Sequence, residues 1–277
     1  MILHQLYTSS LRAKLRALGI TRLLQTPGRL RNQWRRCRYS FTKPTTVSVR
    51  IGSTSIRAHV ENAFEFQRVL AIRDDAHLIR ALTSCCAIGA VVWDVGANVG
   101  LYSIPLAQAV GAERMVVAFE PEPRSRSRME QNLALNGVAT VTVKGFALGR
   151  ERSKAILHFA AEGAAGTHSM IHQLGDSGGG QLEIDVYDGD TLVANGELPQ
   201  PNVLKIDVEG AEEDVIDGLR NVLAHADCTA VLCEVHFAIL AEAGRADAPS
   251  HIAAKLAQAG LRDQRWLDAS HLLAVRA

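Results

Sequence analysis

Apolar and polar residues alternate along this chain in two periods, and the switches between them outline the fold. From Ala90 onward, short apolar runs typical of buried strands are separated by stretches with helical spacing. The predicted core strands are Val91–Trp93, Met115–Phe119, Thr140–Val143, Val203–Ile206 and Ala230–Val235. The predicted helices are Gly100–Val110, Arg124–Asn136, about Glu212–Ala224 and His251–Ala259. Alternation of this kind predicts an α/β fold, a doubly wound, Rossmann-like and mostly parallel sheet with helices on both faces.

Further strands are predicted beside this parallel core. The segments Ala155–Ala160 and Leu182–Val186 resemble strands on either side of a glycine-rich loop at Gly175–Gly180. Near the end of the chain, Trp266 and the apolar residues of 271–277 suggest closing strands. The sequence shows no internal repeat and no second domain after residue 60, so we predict one domain over residues 61–277.

The first 60 residues differ from the rest in pattern and in charge. Residues 45–58 alternate like a hairpin around Gly52, while Leu11, Leu15 and Leu18 recur at helical spacing among basic residues. This segment holds 12 Lys or Arg and no Asp or Glu, whereas the remainder holds 18 basic and 29 acidic residues. We therefore predict a basic N-terminal extension over residues 1–60. It contacts an anionic partner such as a membrane surface, or it packs on its own domain, which is the reading we favour.

Two stretches in the first half carry the candidate chemistry. Residues 91–100 read VVWDVGANVG, and residues 119–122 read FEPE. Each apolar run ends in an acid, and the first is followed by a turn with two glycines. A nucleoside cofactor needs this arrangement: bare backbone where the ligand approaches, and a carboxylate one strand over for the ribose hydroxyls.

The spacing of the turn favours S-adenosylmethionine over a nicotinamide dinucleotide. The dinucleotide fingerprint is G-x-G-x-x-G, but here Asn98 replaces the second glycine and Leu101 the third. The turn also opens with Asp94, which would repel a diphosphate but suits a cation. S-adenosylmethionine carries an ammonium and a sulfonium and no phosphate. An αβ turn that merely needs small residues is the structural alternative.

A third stretch, LKIDVEGAE at residues 204–212, ends another predicted strand in acids. In open α/β sheets, ligands bind at the carboxyl ends of the strands. Asp94, Glu120, Asp207 and Glu234 all lie at the ends of predicted strands, so we expect them to converge on one cleft. Lys205 is interpreted as a strand residue that reaches out to solvent, and Glu212 as an acid that favours a helix N-terminus.

Together with AFEPEP, NLALNG, ALG and CEVH, these motifs resemble the FkbM-type methyltransferases over about residues 85 to 240. The resemblance implies a class I S-adenosylmethionine-dependent enzyme that methylates a hydroxyl of a sugar, glycoconjugate or other small metabolite. It implies that the methionine end of the cofactor lies against Asp94, Gly96, Asn98 and Gly100, with Asp207 at the methyl-transfer point. It also implies that Glu120 binds the ribose, that Phe146 and Ala147 lie near the adenine, and that Asp190 matches a family acid before the fourth strand.

Methylation of a hydroxyl requires removal of its proton, and four residues are candidates for the base. They are Asp207, Glu209, Glu234 and His236, of which His236 has an ordinary pKa nearest neutrality. A Mg²⁺ site at Asp207 and Glu209 is an alternative for the two acids, as is helix capping for Asp207. We expect no metal.

Composition narrows the class of protein. The chain has 277 residues, of which 47% are hydrophobic and 21% charged, as in a soluble globular protein. We expect a cytoplasmic protein, because the sequence has no apolar block typical of an export signal or a membrane span, and an odd count of five cysteines fits a reducing compartment. The cysteines also lack metal-ligand spacing.

Two other functions remain open at this point. A nucleic-acid methyltransferase is favoured only by the basic extension, and the 5% aromatic content and absence of an N-P-P-Y tetrapeptide argue against it. A non-catalytic cofactor-binding partner of a larger synthase or of a membrane is the second. We therefore expect a small-molecule or saccharide acceptor and no nucleic-acid partner.

Overall fold

The computed structural model describes residues 39–40, 42–112, 115–159, 168–169 and 180–277. The strands are β1 (Thr46–Ile51), β2 (Thr54–His59), β3 (Val92–Val95), β4 (Val116–Phe119), β5 (Val141–Lys144), β6 (Ala147–Leu148), β7 (Ser153–Phe159), β8 (His168–Ser169), β9 (Gly180–Tyr187), β10 (Val203–Ile206), β11 (Ala230–Glu234), β12 (Asp263–Trp266) and β13 (His271–Val275). The helices are α1 (Ala63–Ala71), α2 (Ala76–Thr83), α3 (Ser103–Val110), α4 (Pro123–Leu135), α5 (Gly189–Ala194), α6 (Glu212–Asp217), α7 (Arg220–Ala224), α8 (Phe237–Glu242) and α9 (Ala248–Gln258).

Seven strands form the central sheet in the order β12-β13-β11-β10-β3-β4-β5. The five strands from β11 to β5 are parallel, and β13 pairs antiparallel with both β11 and β12. The chain builds outward from β3 through β4 and β5, then returns to the other side of β3 with β10 and β11. The predicted doubly wound α/β sheet is confirmed, and its order reverses between β3 and β10, where such sheets bind ligands.

Helices cover both faces of this sheet, which explains why its strands read as unbroken apolar runs. One face packs against α6 to α9 through residues such as Val215, Leu240 and Ile252. The other packs against α2 and α3 through Leu78 and Leu106. The two faces are thus filled independently, and the sheet edge between them is left for polar residues.

The predicted hairpin is confirmed as β1 and β2, and its apolar face joins a third cluster with residues of α1, α3 and α4. Its backbone is also tied to α4, because the amides of Arg57 and His59 each donate to an asparagine of that helix at 2.8 Å, to Asn136 and Asn132 respectively. The amphipathic segment around Leu11 lies outside the described residues. The division of the chain at residue 60 stays a prediction.

The structure corrects the helix predicted over residues 212–224. It divides into α6 and α7 at Gly218, where a Cβ would lie 1.8 Å from the carbonyl oxygen of Gly149. The carbonyl of Gly218 also accepts from the amide of Asp190 at 3.0 Å. The break follows from a tertiary contact between distant segments, which helical periodicity cannot register.

The two extra strands predicted around residues 155–186 are confirmed as β7 and β9, which pair with each other antiparallel. They belong to a second sheet, in which β6 pairs parallel with β9 and β8 pairs antiparallel with β7. The glycine-rich loop between them lies outside the described residues, apart from Gly180. No helix in the described part of the chain has the length and hydrophobicity that crossing a membrane requires.

Candidate active site

The turn after β3 is held in a conformation that few residues adopt. Gly96, Asn98 and Gly100 all have left-handed backbones, with φ of 79°, 50° and 82°. The amides of Gly96 and Ala97 both donate to the carbonyl of Phe119, at 3.1 and 3.0 Å. A Cβ at Gly96 would lie 1.8 Å from the carbonyl oxygen of Asp207. Only glycine therefore lets the ends of β3 and β10 approach this closely.

A cavity of about 240 Å³ opens beside this turn, at the carboxyl edge of the sheet. One wall is the turn itself, and the other comes from α1, β10, β11 and β13. Four predicted site residues line it: Gly96, Asn98, Asp207 and Glu234. Residues that the sequence did not predict for the site also line it, including Arg68, Asp75, Tyr102, Lys205 and His271.

Lys205 does not reach out to solvent as its strand position suggested. It is 5% exposed, and its Nζ lies 3.2 Å from a carboxylate oxygen of both Asp94 and Asp207. The ammonium also donates to the carbonyl of Gly96 at 2.8 Å. Burial alone would lower the pKa of Lys205, but the two carboxylates raise it above its usual value. Lys205 is therefore a permanent positive charge that joins β3 to β10.

Asp94 is fully buried beneath the turn and does not line the cavity. Its second carboxylate oxygen accepts from the hydroxyl of Ser103 at 2.6 Å. Asp94 thus fixes α3 and Lys205 relative to the turn, and direct contact with a ligand stays a prediction. Asn98, by contrast, lines the cavity, and its Oδ1 is buried without a hydrogen-bond partner in the part of the chain that the structure describes.

Glu120 lies on the far side of the same turn, outside the lining of the cavity. Its two carboxylate oxygens accept from the amides of Asn98 and Glu122, each at 2.8 Å. Burial raises the pKa of Glu120 to about 7, although both hydrogen bonds act in the opposite direction. The carboxylate therefore already fixes the turn, and binding of a ribose would use its remaining lone pairs.

His236 is the centre of the second polar group at this edge. Its Nδ1 lies 2.6 Å from Glu212, and its Nε2 lies 3.8 Å from both Asp207 and Glu234. Glu212 is fully buried and accepts from the amide of Gly210 at 2.8 Å. The sequence assigned Glu212 only a favourable position at a helix N-terminus. The structure corrects this interpretation, because Glu212 also orients the imidazole of His236.

The charge around His236 determines its protonation. Burial alone would lower the pKa of the imidazole, but Glu212, Asp207 and Glu234 raise it to about 9. At neutral pH the ring is therefore protonated, and it can act as a base only after it loses that proton. The sequence suggested a base with a pKa near neutrality. The structure raises the pH range in which His236 is expected to act as a base.

Asp207, Glu234 and His236 each offer one atom to a common point, and these atoms lie within 4.8 Å of one another. This trio differs from the pair of Asp207 and Glu209 that the sequence suggested for Mg²⁺. Glu209 adopts a left-handed backbone, with φ of 49°. Burial and the charge of Asp207 raise the pKa of Glu209 to about 7. The absence of a metal requirement stays a prediction.

His271 extends the polar edge beyond Glu234. Its Nε2 lies 3.3 Å from Glu234 and its Nδ1 3.0 Å from Asp268. Burial alone would lower the pKa of His271, but Asp268 and Glu234 raise it to about 10. With Arg68, it gives the outer wall of the cavity two cationic side chains at neutral pH.

The remaining predicted residues lie apart from the cavity. Phe146 packs against Phe119 and Tyr187, with ring centroids 5.8 and 4.6 Å apart, and Ala147 begins β6. A Cβ at Gly100 would lie 2.8 Å from the side chain of Met129 in α4. Asp190 accepts from the amides of Asn221 and Val222 at 2.9 Å and so caps α7. Contacts of Phe146 and Ala147 with an adenine stay predictions.

Comparison with known proteins finds a matching family and similar chains. Residues 94–262 match the model of the methyltransferase FkbM domain. The chain is 31% identical over 188 residues to hexuronic acid methyltransferase AglP of Haloferax volcanii, which covers 67% of this chain and 72% of the relative. It is 27% identical over 144 residues to methyltransferase 1 of Beauveria bassiana, covering 46% of this chain and 57% of the relative. The crystal structure of methyltransferase FkbM from Methylobacillus flagellatus aligns with a TM-score of 0.45 and 15% identity, over 76% of this chain and 54% of that one.

Proposed function

This chain belongs to the FkbM methyltransferase family, and from that premise we propose that it methylates an oxygen of a saccharide acceptor containing a uronic acid. The enzyme is a methyltransferase, and its methyl donor is S-adenosylmethionine. The proposal concerns the acceptor and the residues that act on it.

The observation that carries the proposal is the shared cavity at the edge of β3, β10 and β11. The glycine turn forms one wall, while Asp207, Glu234 and His271 form the other. A donor and an acceptor can therefore meet at Asp207 without leaving the cavity. In-line transfer depends on this kind of close positioning, which is worth several kcal/mol.

The residues of the turn fit the donor. The buried Oδ1 of Asn98 has no partner among the described residues, and an ammonium group would satisfy it. Asp94 and Asp207 carry two negative charges, and Lys205 balances only one of them. The turn therefore favours a cation over a diphosphate. When bound, S-adenosylmethionine supplies a methyl group on a cationic sulfur.

The acceptor side provides a base and a cationic side chain. His236 is held by Glu212, and its Nε2 lies 3.8 Å from the carboxylates of Asp207 and Glu234, so after losing its own proton it can accept one from a hydroxyl bound there. Arg68 lines the same cavity and can pair with the carboxylate of an acidic sugar, whereas the charge of His271 is already balanced by Glu234 and Asp268. The relative from Haloferax volcanii is named as a hexuronic acid methyltransferase, which supports the same class of acceptor.

We also propose a cytoplasmic location and, for the basic N-terminal extension, packing on its own domain, with a peripheral membrane contact as the alternative. The four cysteines in the described regions are free thiols, as expected in a reducing compartment. The 12 basic residues among the first 60, with no acid, would favour an anionic surface.

The acceptor is tested by methyl transfer from isotopically labelled S-adenosylmethionine. We expect label in methyl glucuronoside and in a glucuronate-terminated trisaccharide, with the neutral glucoside slower by about tenfold, the effect of ~1.4 kcal/mol from charge recognition. Asp207→Asn should lower turnover by about 100-fold while retaining S-adenosylhomocysteine binding. Label in RNA or DNA but in neither uronoside would refute the proposal.

A further inference from the structure

Two aromatic side chains near the carboxyl edge of the sheet are exposed to solvent. Trp266 is 42% exposed and Phe237 is 40% exposed, and their ring centroids lie 5.5 Å apart. Trp93, by contrast, is fully buried in the core. Single exposed apolar residues are common on protein surfaces, but two in contact form a small patch that invites an explanation.

The strand register places this pair in line with the reaction site. Trp266 is opposite Leu272, Leu272 is opposite Cys233, and Cys233 is opposite Ile206. Trp266 therefore lies three strands from Ile206, about 14 Å at the usual spacing of neighbouring strands. Asp207 follows Ile206 directly, and β12 runs in the same direction as β10. The aromatic pair and Asp207 thus share the carboxyl edge of the sheet.

Directly between them lie Leu272 and Cys233, which are buried in the cluster that includes Leu240 of α8, so Trp266 faces that side of the sheet. Glu234 is paired with His271 in the register of β11 and β13, and both line the cavity. Glu234 and His271 alternate with Cys233 and Leu272 and so point to the other face of the sheet.

Phe237 follows His236 directly and begins α8. An acceptor that extends outward from Asp207 over His236, whose Nε2 lies 3.8 Å from that carboxylate, would reach Phe237 and then Trp266.

We propose that Trp266 and Phe237 form a second sugar subsite, which stacks a neighbouring pyranose ring of an oligosaccharide acceptor rather than the ring that is methylated. This inference rests on the proposed function, since it assumes a saccharide acceptor. The C–H bonds on one face of a pyranose carry partial positive charge, and an aromatic face is negative, so the two attract. The indole also removes apolar surface of the sugar from water.

The test measures binding to the full chain loaded with S-adenosylhomocysteine, so that no turnover is needed. Calorimetry compares a glucuronate-terminated trisaccharide with methyl glucuronoside, which has a single ring. Trp266→Ala should weaken trisaccharide binding by about tenfold and leave the single-ring ligand unchanged. Trp266→Phe, which keeps an aromatic face, should stay within about threefold of wild type.

Ile156→Ala is the matched control, because Ile156 is 42% exposed but lies on β7 of the second sheet. We expect this variant to bind both sugars as wild type does. The indole fluorescence of wild type should change on adding the trisaccharide, and Trp266→Phe should lose that change.

Three results would overturn the inference. The wild type could fail to bind the trisaccharide, Trp266→Ala could bind the trisaccharide as tightly as the wild type does, or Trp266→Ala could lose affinity for the trisaccharide and for methyl glucuronoside by the same factor. A dimer that Trp266→Ala splits into monomers would also overturn it, because the pair would then serve a contact between copies. Failure of the proposed function looks different. In that case no uronoside is methylated, whereas failure of the subsite alone leaves methylation of methyl glucuronoside by Trp266→Ala at the wild-type rate.

Discussion

Lys205 sets one positive charge between the carboxylates that end β3 and β10. The three groups are mutually dependent, since Asp94 is fully buried and Lys205 nearly so. A buried ion pair contributes little compared with a well-packed apolar pair, but removing one member leaves the other charge without compensation. The triad therefore makes the geometry of the turn sensitive to any single change in charge.

Lys205→Met should lower the free energy of unfolding by about 3–5 kcal/mol, because the Asp94 carboxylate would remain buried without its partner. Urea denaturation of the cofactor-free protein measures this loss. Adding Asp94→Asn should recover part of it, so the double variant should be more stable than the sum of the two single losses implies. Simple additivity of the two losses would show that the triad is not an energetic unit.

The pairing of His236 with Glu212 makes a prediction about pH. The pKa of His236 is raised to about 9 by neighbouring carboxylates, so turnover that uses it as a base should rise with pH up to that value. Glu212→Gln keeps an acceptor for the amide of Gly210 but removes the charge. The rising limb of the pH profile should therefore move to lower pH, and in His236→Gln it should disappear.

The same shift affects stability, with a defined sign. A folded pKa above the ordinary value of 6.5 stabilises the folded state fully below that pH, and the stabilisation is lost as the pH rises toward about 9. In Glu212→Gln, urea denaturation at a series of pH values should show this loss of stability over a narrower range that ends at a lower pH. A rising limb that keeps its position in Glu212→Gln would exclude His236 as the base.

At the scale of elements, the sequence predicted the parallel core well because each strand is short, apolar and buried on both faces. Val203–Ile206 coincides with β10, and the other core strands differ by a few residues at their ends. Strands of this type carry their own signal, since helices on both faces require apolar residues at every position. The acids that follow them were found for the same reason.

Elements outside that core were harder to predict. Helix α1 has a local signal that was available, because Asn62 caps it by accepting from the amides of Phe64 and Glu65. The break between α6 and α7 had none, since it depends on the approach of Gly149 to Gly218. Long helices with clear apolar spacing were predicted, whereas short ones such as α5 and α8 were missed.

The candidate site shows the same limit. The positions of Asp94, Asp207 and Glu234 could be predicted because they lie at strand ends. The role of Lys205 as the counter-ion of Asp94 and Asp207 could not be predicted in this way. Lys205 has the sequence context of a surface strand residue, and only the pairing of β3 with β10 brings it between two acids. His271 belongs to a strand that returns from the far end of the chain, so no local spacing links it to Glu234.

At the scale of the whole molecule, the order of strands divides one sheet edge into two halves, for which we propose binding of the donor and of the acceptor respectively. The donor half follows β3 and β4, with the glycine turn and Glu120, and the acceptor half follows β11, β13 and β12. Asp207, at the end of β10, lies between them. The central claim is that both substrates meet at this residue because the sheet reverses its winding there.

A crystal structure of the enzyme with S-adenosylhomocysteine and methyl glucuronoside tests this claim most directly. We expect the thioether sulfur between the Gly96–Asn98 turn and Asp207, with the ribose at Glu120 and the sugar on the side of Glu234 and His271. If the nucleoside occupied the side of Glu234, or if both ligands lay away from the turn while the crystals remained ordered, the account would be contradicted.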